Sequence, residues 1–251
     1  MDFGLKGKRV LVTGGTRGIG AAIVDGFLEE GATVAFCSRN KDELDARLAS
    51  MTAAGHSVAG SVCDVSDPDA YKSWIEGAVQ ALGGLDVFVP NVSGGLGQGE
   101  EGWKRAFDVD VMATVRGCEA VLPHLAATGG NIVVIASIAG LEATGAPTPY
   151  NTAKAGLIAY ASQLGEVAGQ HGVRVNTVSP GPIHVEDGFW GDVQRSQPEM
   201  YQAVSERHSA GRLGTTAEVA NCVVFLASSA ASWVTRANLI ADGGFCKRVQ
   251  Y

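Results

Sequence analysis

Short apolar runs alternate along this chain with longer stretches in which apolar positions recur every three or four residues. Residues 9–13 (RVLVT), 32–38 (ATVAFCS), 57–64, 85–90 (LDVFVP), 131–137 (NIVVIAS), 174–179 and 238–241 read as strands. Most are continuous apolar runs of the kind buried on both faces. Between the first two, residues 18–30 carry Ile19, Ile23 and Phe27 at helical spacing and stop at Gly31. Further helices are expected at 41–54, from Asp67-Pro68 to Gly83 in the cap-then-proline order, and at 101–127, 148–170 and 217–228. Strands alternating with helices of this length predict an α/β fold, a parallel sheet covered on both faces. No repeat or linker interrupts the series, so residues 1–251 are expected to form one domain. Residues 181–214 look irregular and are too long for an ordinary connection. Residues 184–213 within them are expected to act as a substrate lid.

Composition narrows the function. With 19 Lys and Arg against 26 Asp and Glu, the formal charge is −7. An acidic surface argues against nucleic acid or an anionic membrane as the main partner and leaves a small molecule. The longest apolar stretches fall short of a membrane span, and the first residues lack the apolar core of a signal peptide. Five cysteines, at 37, 63, 118, 222 and 246, are an odd number without paired spacing. They read as thiols in a reducing compartment, the cytoplasm, and not as a disulfide frame or metal site.

Two segments carry candidate chemistry. The first is the turn Thr13-Gly14-Gly15-Thr16-Arg17-Gly18-Ile19-Gly20, between the first strand and first helix. Glycines there let backbone approach a pyrophosphate, and the helix N-terminus offers N–H groups and a positive dipole end to the anion. An acid at the end of the second strand would bind an adenosine ribose and repel a 2′-phosphate. This chain has Ser38-Arg39 there, with Arg17 close by, which favours NADP(H) and leaves NAD(H) possible. The second segment is Tyr150-Asn-Thr-Ala-Lys154, whose Tyr and Lys share one helix face. The ammonium favours the phenolate, making Tyr150 a usable general acid or base. Ser137 closes the fifth strand thirteen residues earlier, placed to hold a substrate oxygen.

With these motifs the sequence resembles the short-chain dehydrogenase/reductase family over nearly its whole length. Thr13 to Gly20 is similar to the family's Thr-Gly-x-x-x-Gly-x-Gly segment, Tyr150 and Lys154 to its Tyr-x-x-x-Lys pair, and Ser137 to its catalytic serine. Asp64-Val65 resembles the pair set against the adenine, and Pro180-Gly181, followed by Ile183, the segment beside the nicotinamide. Asp242-Gly243-Gly244 is similar to the closing motif, and Asn91 to the cofactor-facing Asn after strand four. The resemblance implies a single-domain, doubly wound Rossmann-type fold with seven parallel strands. It also implies hydride transfer between a nicotinamide and an alcohol or carbonyl, and a homotetramer. In that scheme Tyr150 is the acid/base, Lys154 grips the nicotinamide ribose, and Ser137 orients the substrate oxygen.

Four positions depart from the family pattern. Ser93 replaces a glycine, Val185 replaces a carboxamide-binding threonine, and Arg236 stands where glycine is common. Asp110, seven residues after Trp103, replaces a catalytic asparagine that holds a relay water. Asp110 is kept among the expected catalytic residues, its charge directed toward Lys154. Ser93, His184 and Trp190 are the expected substrate contacts, although a solvated loop suits His184 and lid packing suits Trp190 equally. The loop 93–99 and the segment 138–147 are mostly small, and with His184, Glu186, Asp187 and Arg195 they favour a small polar substrate. That substrate would be a sugar, a sugar acid, or a hydroxy or keto compound. The alternatives are a 3-oxoacyl thioester reductase and a catalytically inactive NADP-binding sensor.

Overall fold

The computed structural model describes residues 2–143 and 147–247. Seven strands form one sheet in the order β3-β2-β1-β4-β5-β6-β7: β1 Arg9–Thr13, β2 Thr33–Ser38, β3 Val58–Val62, β4 Val87–Val89, β5 Asn131–Ile135, β6 Arg174–Pro180 and β7 Asn238–Ala241. Every neighbouring pair is parallel. Strand alternation splits the core in two. Val10, Val12, Val34 and Phe36 pack against α1 (Gly18–Glu29), α2 (Lys41–Ala53) and α9 (Thr216–Ala227). Leu11, Ala35, Phe88 and Val134 face α3 (Pro68–Leu82), α5 (Ala113–Ala126) and α6 (Pro149–Gly169) on the other side. Both faces are covered, which is why the central strands read as unbroken apolar runs. Among the described residues no helix is long and apolar enough to cross a membrane.

Two expected elements differ. The single helix at 101–127 is α4 (Gly99–Ala106), a π-helical segment at Phe107–Met112, then α5. A wider turn shifts the facing residues without breaking the helix, so a 3.6-residue pattern does not reveal it. The irregular stretch at 181–214 contains α7 (Phe189–Ser196) and α8 (Pro198–Arg207). Only Gly191, Val193 and Ser205 are buried in these two helices, so no apolar stripe marks them in the sequence.

Asp86 ties β4 to β1. Its carboxylate accepts hydrogen bonds from the Arg9 backbone N–H (3.0 Å) and from Arg9 Nε (2.7 Å). Burial alone would raise this carboxyl, but the Arg9 donors and the Arg9 and Lys8 charges outweigh it and hold it below the usual carboxylate range. A depressed folded value means stability that is present above the unfolded value of about 3.9 and lost as pH falls through the folded one. Asp86→Asn is therefore expected to lower stability at neutral pH and to flatten its fall below about pH 4. Denaturant midpoints across pH 2–7 check this, and parallel curves for the two proteins would refute it.

Candidate active site

The strand order reverses between β1, which continues to β2 on one side, and β4 on the other. Crevices at the carboxyl ends of such strands hold ligands. Here the crevice is a cleft of about 420 Å³ that includes Gly14, Thr16, Arg17, Ser38, Arg39, Asp64, Val65, Asn91 and Ser93.

Backbone bonds build its phosphate end. The Gly14 and Gly15 N–H groups donate to the Cys37 carbonyl at 3.0 and 3.1 Å. Asn91 Nδ2 donates to the carbonyls of Thr13 (3.0 Å) and Gly14 (3.2 Å), clamping the turn from the β4 side. A Cβ on Gly20 would lie 1.9 Å from the Gly14 carbonyl oxygen, so only glycine lets α1 start this close to the turn. Arg17, the residue before α1, makes no side-chain cap, which leaves the first-turn N–H groups for an anion. Gly18 and Ile19 open the helix, with Val185 side-chain carbons 3.9 Å from where a Gly18 Cβ would stand. A cradle this narrow fits a pyrophosphate.

At the end of the cleft where the sequence places the adenosine, Thr16 Oγ1 lies 3.1 Å from Ser38 Oγ, and Arg39 and Asn40 follow. The Ser66 backbone N–H chiefly holds the Asp64 carboxyl below its ordinary range, against burial and with help from the Ser66 hydroxyl and the Arg39 and Arg105 charges. Cys37 and Cys63 meet beneath this end. Their mutual hydrogen bond, with burial, raises the Cys37 thiol, and the same bond lowers Cys63. All five cysteines are free. The sequence reading did not name Glu43 and Arg105, which also line the cleft. Glu43 carries a local signal, an acid three residues after the helix cap Asn40, whereas nothing in the pattern around Arg105 marks it.

The residues expected to react stand at the end of β5 and the start of α6. Ser137 is 9% exposed, and its Oγ accepts from the Ala139 N–H (3.1 Å), leaving its proton free to donate. Thr148 caps α6 and Pro149 starts it, so half-buried Tyr150 lies in the first turn and Lys154 one turn on. Lys154 Nζ is 5.6 Å from the Tyr150 ring centre. It donates to the Ile135 carbonyl (3.1 Å) and pairs with Asp110 Oδ1 at 3.1 Å, both side chains almost fully buried. The latter contact is ionic and not angled as a hydrogen bond. The other carboxylate oxygen of Asp110 accepts from the Gly94 N–H at 2.7 Å. Arg105 Nε donates to the Gly94 carbonyl (3.0 Å), so the loop after β4 is held on both sides. The turn after Ser137 rests on α6: a Cβ on Gly140 would lie 2.6 Å from the Ala155 nitrogen and 2.7 Å from the Lys154 carbonyl carbon.

Of the expected substrate residues, Ser93 lies in the cleft with its hydroxyl accepting from the Gly95 N–H (3.1 Å). Pro180 ends β6, and Gly181 follows with its N–H bonded to the Ala241 carbonyl (3.0 Å). Ile183 and His184 continue beside Gly214, whose carbonyl accepts from the His184 N–H at 2.8 Å. His184 Nδ1 lies 3.1 Å from the Tyr201 hydroxyl, and its Nε2 lies 3.5 Å from a Glu186 oxygen. Trp190 packs edge-on to Phe189 at 5.1 Å. Part of the small-residue segment 138–147 falls at 144–146, outside the described residues.

Sheet order and site together define an oxidoreductase of Rossmann type. A family model described as Enoyl-(Acyl carrier protein) reductase matches residues 14–246, and the chain belongs to the short-chain dehydrogenase/reductase family. It is 36% identical to an isoepoxydon dehydrogenase of Penicillium expansum, over 100% of this chain and 99% of that one. It is 31% identical to a 3-oxoacyl-[acyl-carrier-protein] reductase of Chlamydia pneumoniae, over 97% and 99% of the two chains. Among solved structures, L-sorbose reductase from Gluconobacter frateurii, complexed with NADPH and L-sorbose, superposes with a TM-score of 0.91. That match has 29% identity and covers 99% of this chain and 100% of the other. The protein is an oxidoreductase acting on CH–OH groups, in a family that binds NAD(P) and small-molecule substrates.

Proposed function

We propose that this protein transfers hydride between NADP(H) and a small polar alcohol or carbonyl compound, such as a sugar, a sugar acid, or a hydroxy or keto compound. The observation that carries the reading is the buried Lys154 ammonium. It is fixed by the Ile135 carbonyl and Asp110 beside the Tyr150 ring, and the turn after Ser137, whose proton is free, rests against the Lys154 backbone. The glycine turn and α1 N-terminus would hold the pyrophosphate, Ser38 with Arg17 and Arg39 the 2′-phosphate, and Asp64-Val65 the adenine. Asn91, Pro180, Gly181 and Ile183 would lie along the nicotinamide half. Bound there, the nicotinamide supplies or accepts the hydride.

The chain's own groups handle the proton. In reduction, Ser137 donates a hydrogen bond to the carbonyl oxygen and Tyr150 delivers a proton to it. Lys154 then faces the phenolate and offsets its charge. The ammonium gives one hydrogen bond to Ile135 and is paired in charge with Asp110, which leaves donor capacity for a ribose hydroxyl. In oxidation each step reverses. Ser93, His184 and Trp190 would contact the substrate, residues 184–213 would act as its lid, and the enzyme would work as a cytoplasmic homotetramer.

The cofactor reading is tested by binding. Arg39→Ala is expected to weaken NADPH by about ten- to a hundredfold, roughly 1.5–3 kcal/mol, and to leave NADH nearly unchanged. Wild-type protein that binds NADH as tightly as NADPH would refute the preference. A panel of alcohols and carbonyls, followed at the nicotinamide absorbance, tests the substrate class. The Chlamydia relative supports a second reading, reduction of 3-oxoacyl thioesters, so acyl thioesters belong in the panel. A protein that binds NADPH but turns over no member of the panel would instead be a sensor.

A further inference from the structure

The end of β2 has no acid, yet the cleft has one beside it. Glu43, in the first turn of α2, extends its carboxylate back to the hydroxyls at the adenosine end. Its Oε2 accepts from Thr16 Oγ1 at 3.1 Å, and that hydroxyl is itself 3.1 Å from Ser38 Oγ. Its Oε1 accepts from Asn40 Nδ2 at 2.9 Å. Asn40 in turn caps α2 through its other amide atom, which takes the Asp42 and Glu43 N–H groups at 3.0 and 3.3 Å. The helix start therefore aims Glu43 at the glycine turn. Thr16, Ser38, Asn40 and Glu43 all line the same cleft as Arg17 and Arg39.

We propose that Glu43 sets the ratio in which the two nicotinamide cofactors are bound. This deepens the reading above and rests on its placement of the adenosine ribose at the end of β2. A carboxylate there accepts a hydrogen bond from a free ribose 2′-hydroxyl, the part an acid at position 38 would play. Toward a 2′-phosphate, which brings up to two negative charges, it is repulsive. Arg17 and Arg39 attract the phosphate and Glu43 opposes it. The chain consequently keeps usable affinity for NAD(H) beside NADP(H).

The test needs no substrate. Calorimetric titration with NADPH, NADH, adenosine 2′,5′-bisphosphate and AMP is run on wild type and Glu43→Gln. Gln keeps a hydrogen-bonding oxygen and removes the charge. Glu43→Gln is expected to tighten NADPH and the bisphosphate by about tenfold and to weaken NADH and AMP by a few fold. Asp42→Asn removes an equal charge from the same helix turn, outside the cleft, and is expected to leave the ratio unchanged. The proposal is overturned if Glu43→Gln shifts both cofactors by one common factor, since that marks Glu43 as only a brace for α2. It is overturned equally if no ligand shifts, or if Asp42→Asn moves the ratio as far. Arg39→Ala in the same assay separates the two readings. A ratio that responds to Glu43→Gln but not to Arg39→Ala sinks the arginine assignment and keeps this one.

Discussion

Tyr150→Phe is expected to lower turnover by about 10²–10⁴-fold while NADPH binds within about twofold of wild type. The phenol oxygen is the one atom the substitution removes, and in the proposed mechanism it alone carries the proton. The ring remains against the Lys154 ammonium, 5.6 Å from its centre, so the ribose donor stays in place. Lys154→Ala should by contrast damage turnover and cofactor affinity together, because the ammonium serves both. Rates at saturating cofactor, paired with NADPH titration, read the two effects separately. An active Tyr150→Phe enzyme would remove the mechanism and leave the sensor reading in its place.

Asp110→Ala is expected to cost about 3–5 kcal/mol of stability, enough to threaten folding. Asp110 is fully buried and Lys154 is 2% exposed, so truncation strands a buried ammonium without its counter-charge. It also removes the acceptor of the Gly94 N–H. Asp110→Asn fills the same space and keeps one oxygen, enough for the Gly94 N–H or for the ammonium but not for both, so it is expected to lose less stability than Asp110→Ala and to retain activity. Denaturant unfolding of the two variants checks the order. Equal losses in both would show that charge, which both variants lose, and not shape holds this place, and an inactive but stable Asp110→Asn would give the carboxylate a chemical role of its own.

Much of this architecture was legible in the residues. Continuous runs such as Val10-Leu11-Val12 reveal strands because both faces of the sheet are covered. Asp67-Pro68 marks the start of α3 because Asp67 caps it, accepting from Asp69 and Ala70 N–H at 3.1 Å. The juxtaposition of Tyr150 and Lys154 was equally legible, since they lie one helical turn apart. What escaped depends on contacts between distant segments. The π-helical turn that carries Asp110 leaves no trace in a 3.6-residue pattern. The charge of Asp110 was expected to face Lys154, as it does at 3.1 Å, but nothing local announces that its other oxygen holds the Gly94 N–H. Glu43 looks like an ordinary helix-start acid until Thr16 is found bonded to it. α7 and α8 stayed hidden because they bury almost nothing.

The Gly140 contact with the backbone of α6 acts as a ruler. Ser137 is set against Tyr150 and Lys154 by two pieces of main chain touching at 2.6–2.7 Å from where a side chain would begin, and not by the number of residues that separate them. A side chain at position 140 would therefore push the turn off α6 and carry Ser137 away from Tyr150 and Lys154, so a single glycine sets how closely the serine and the phenol approach.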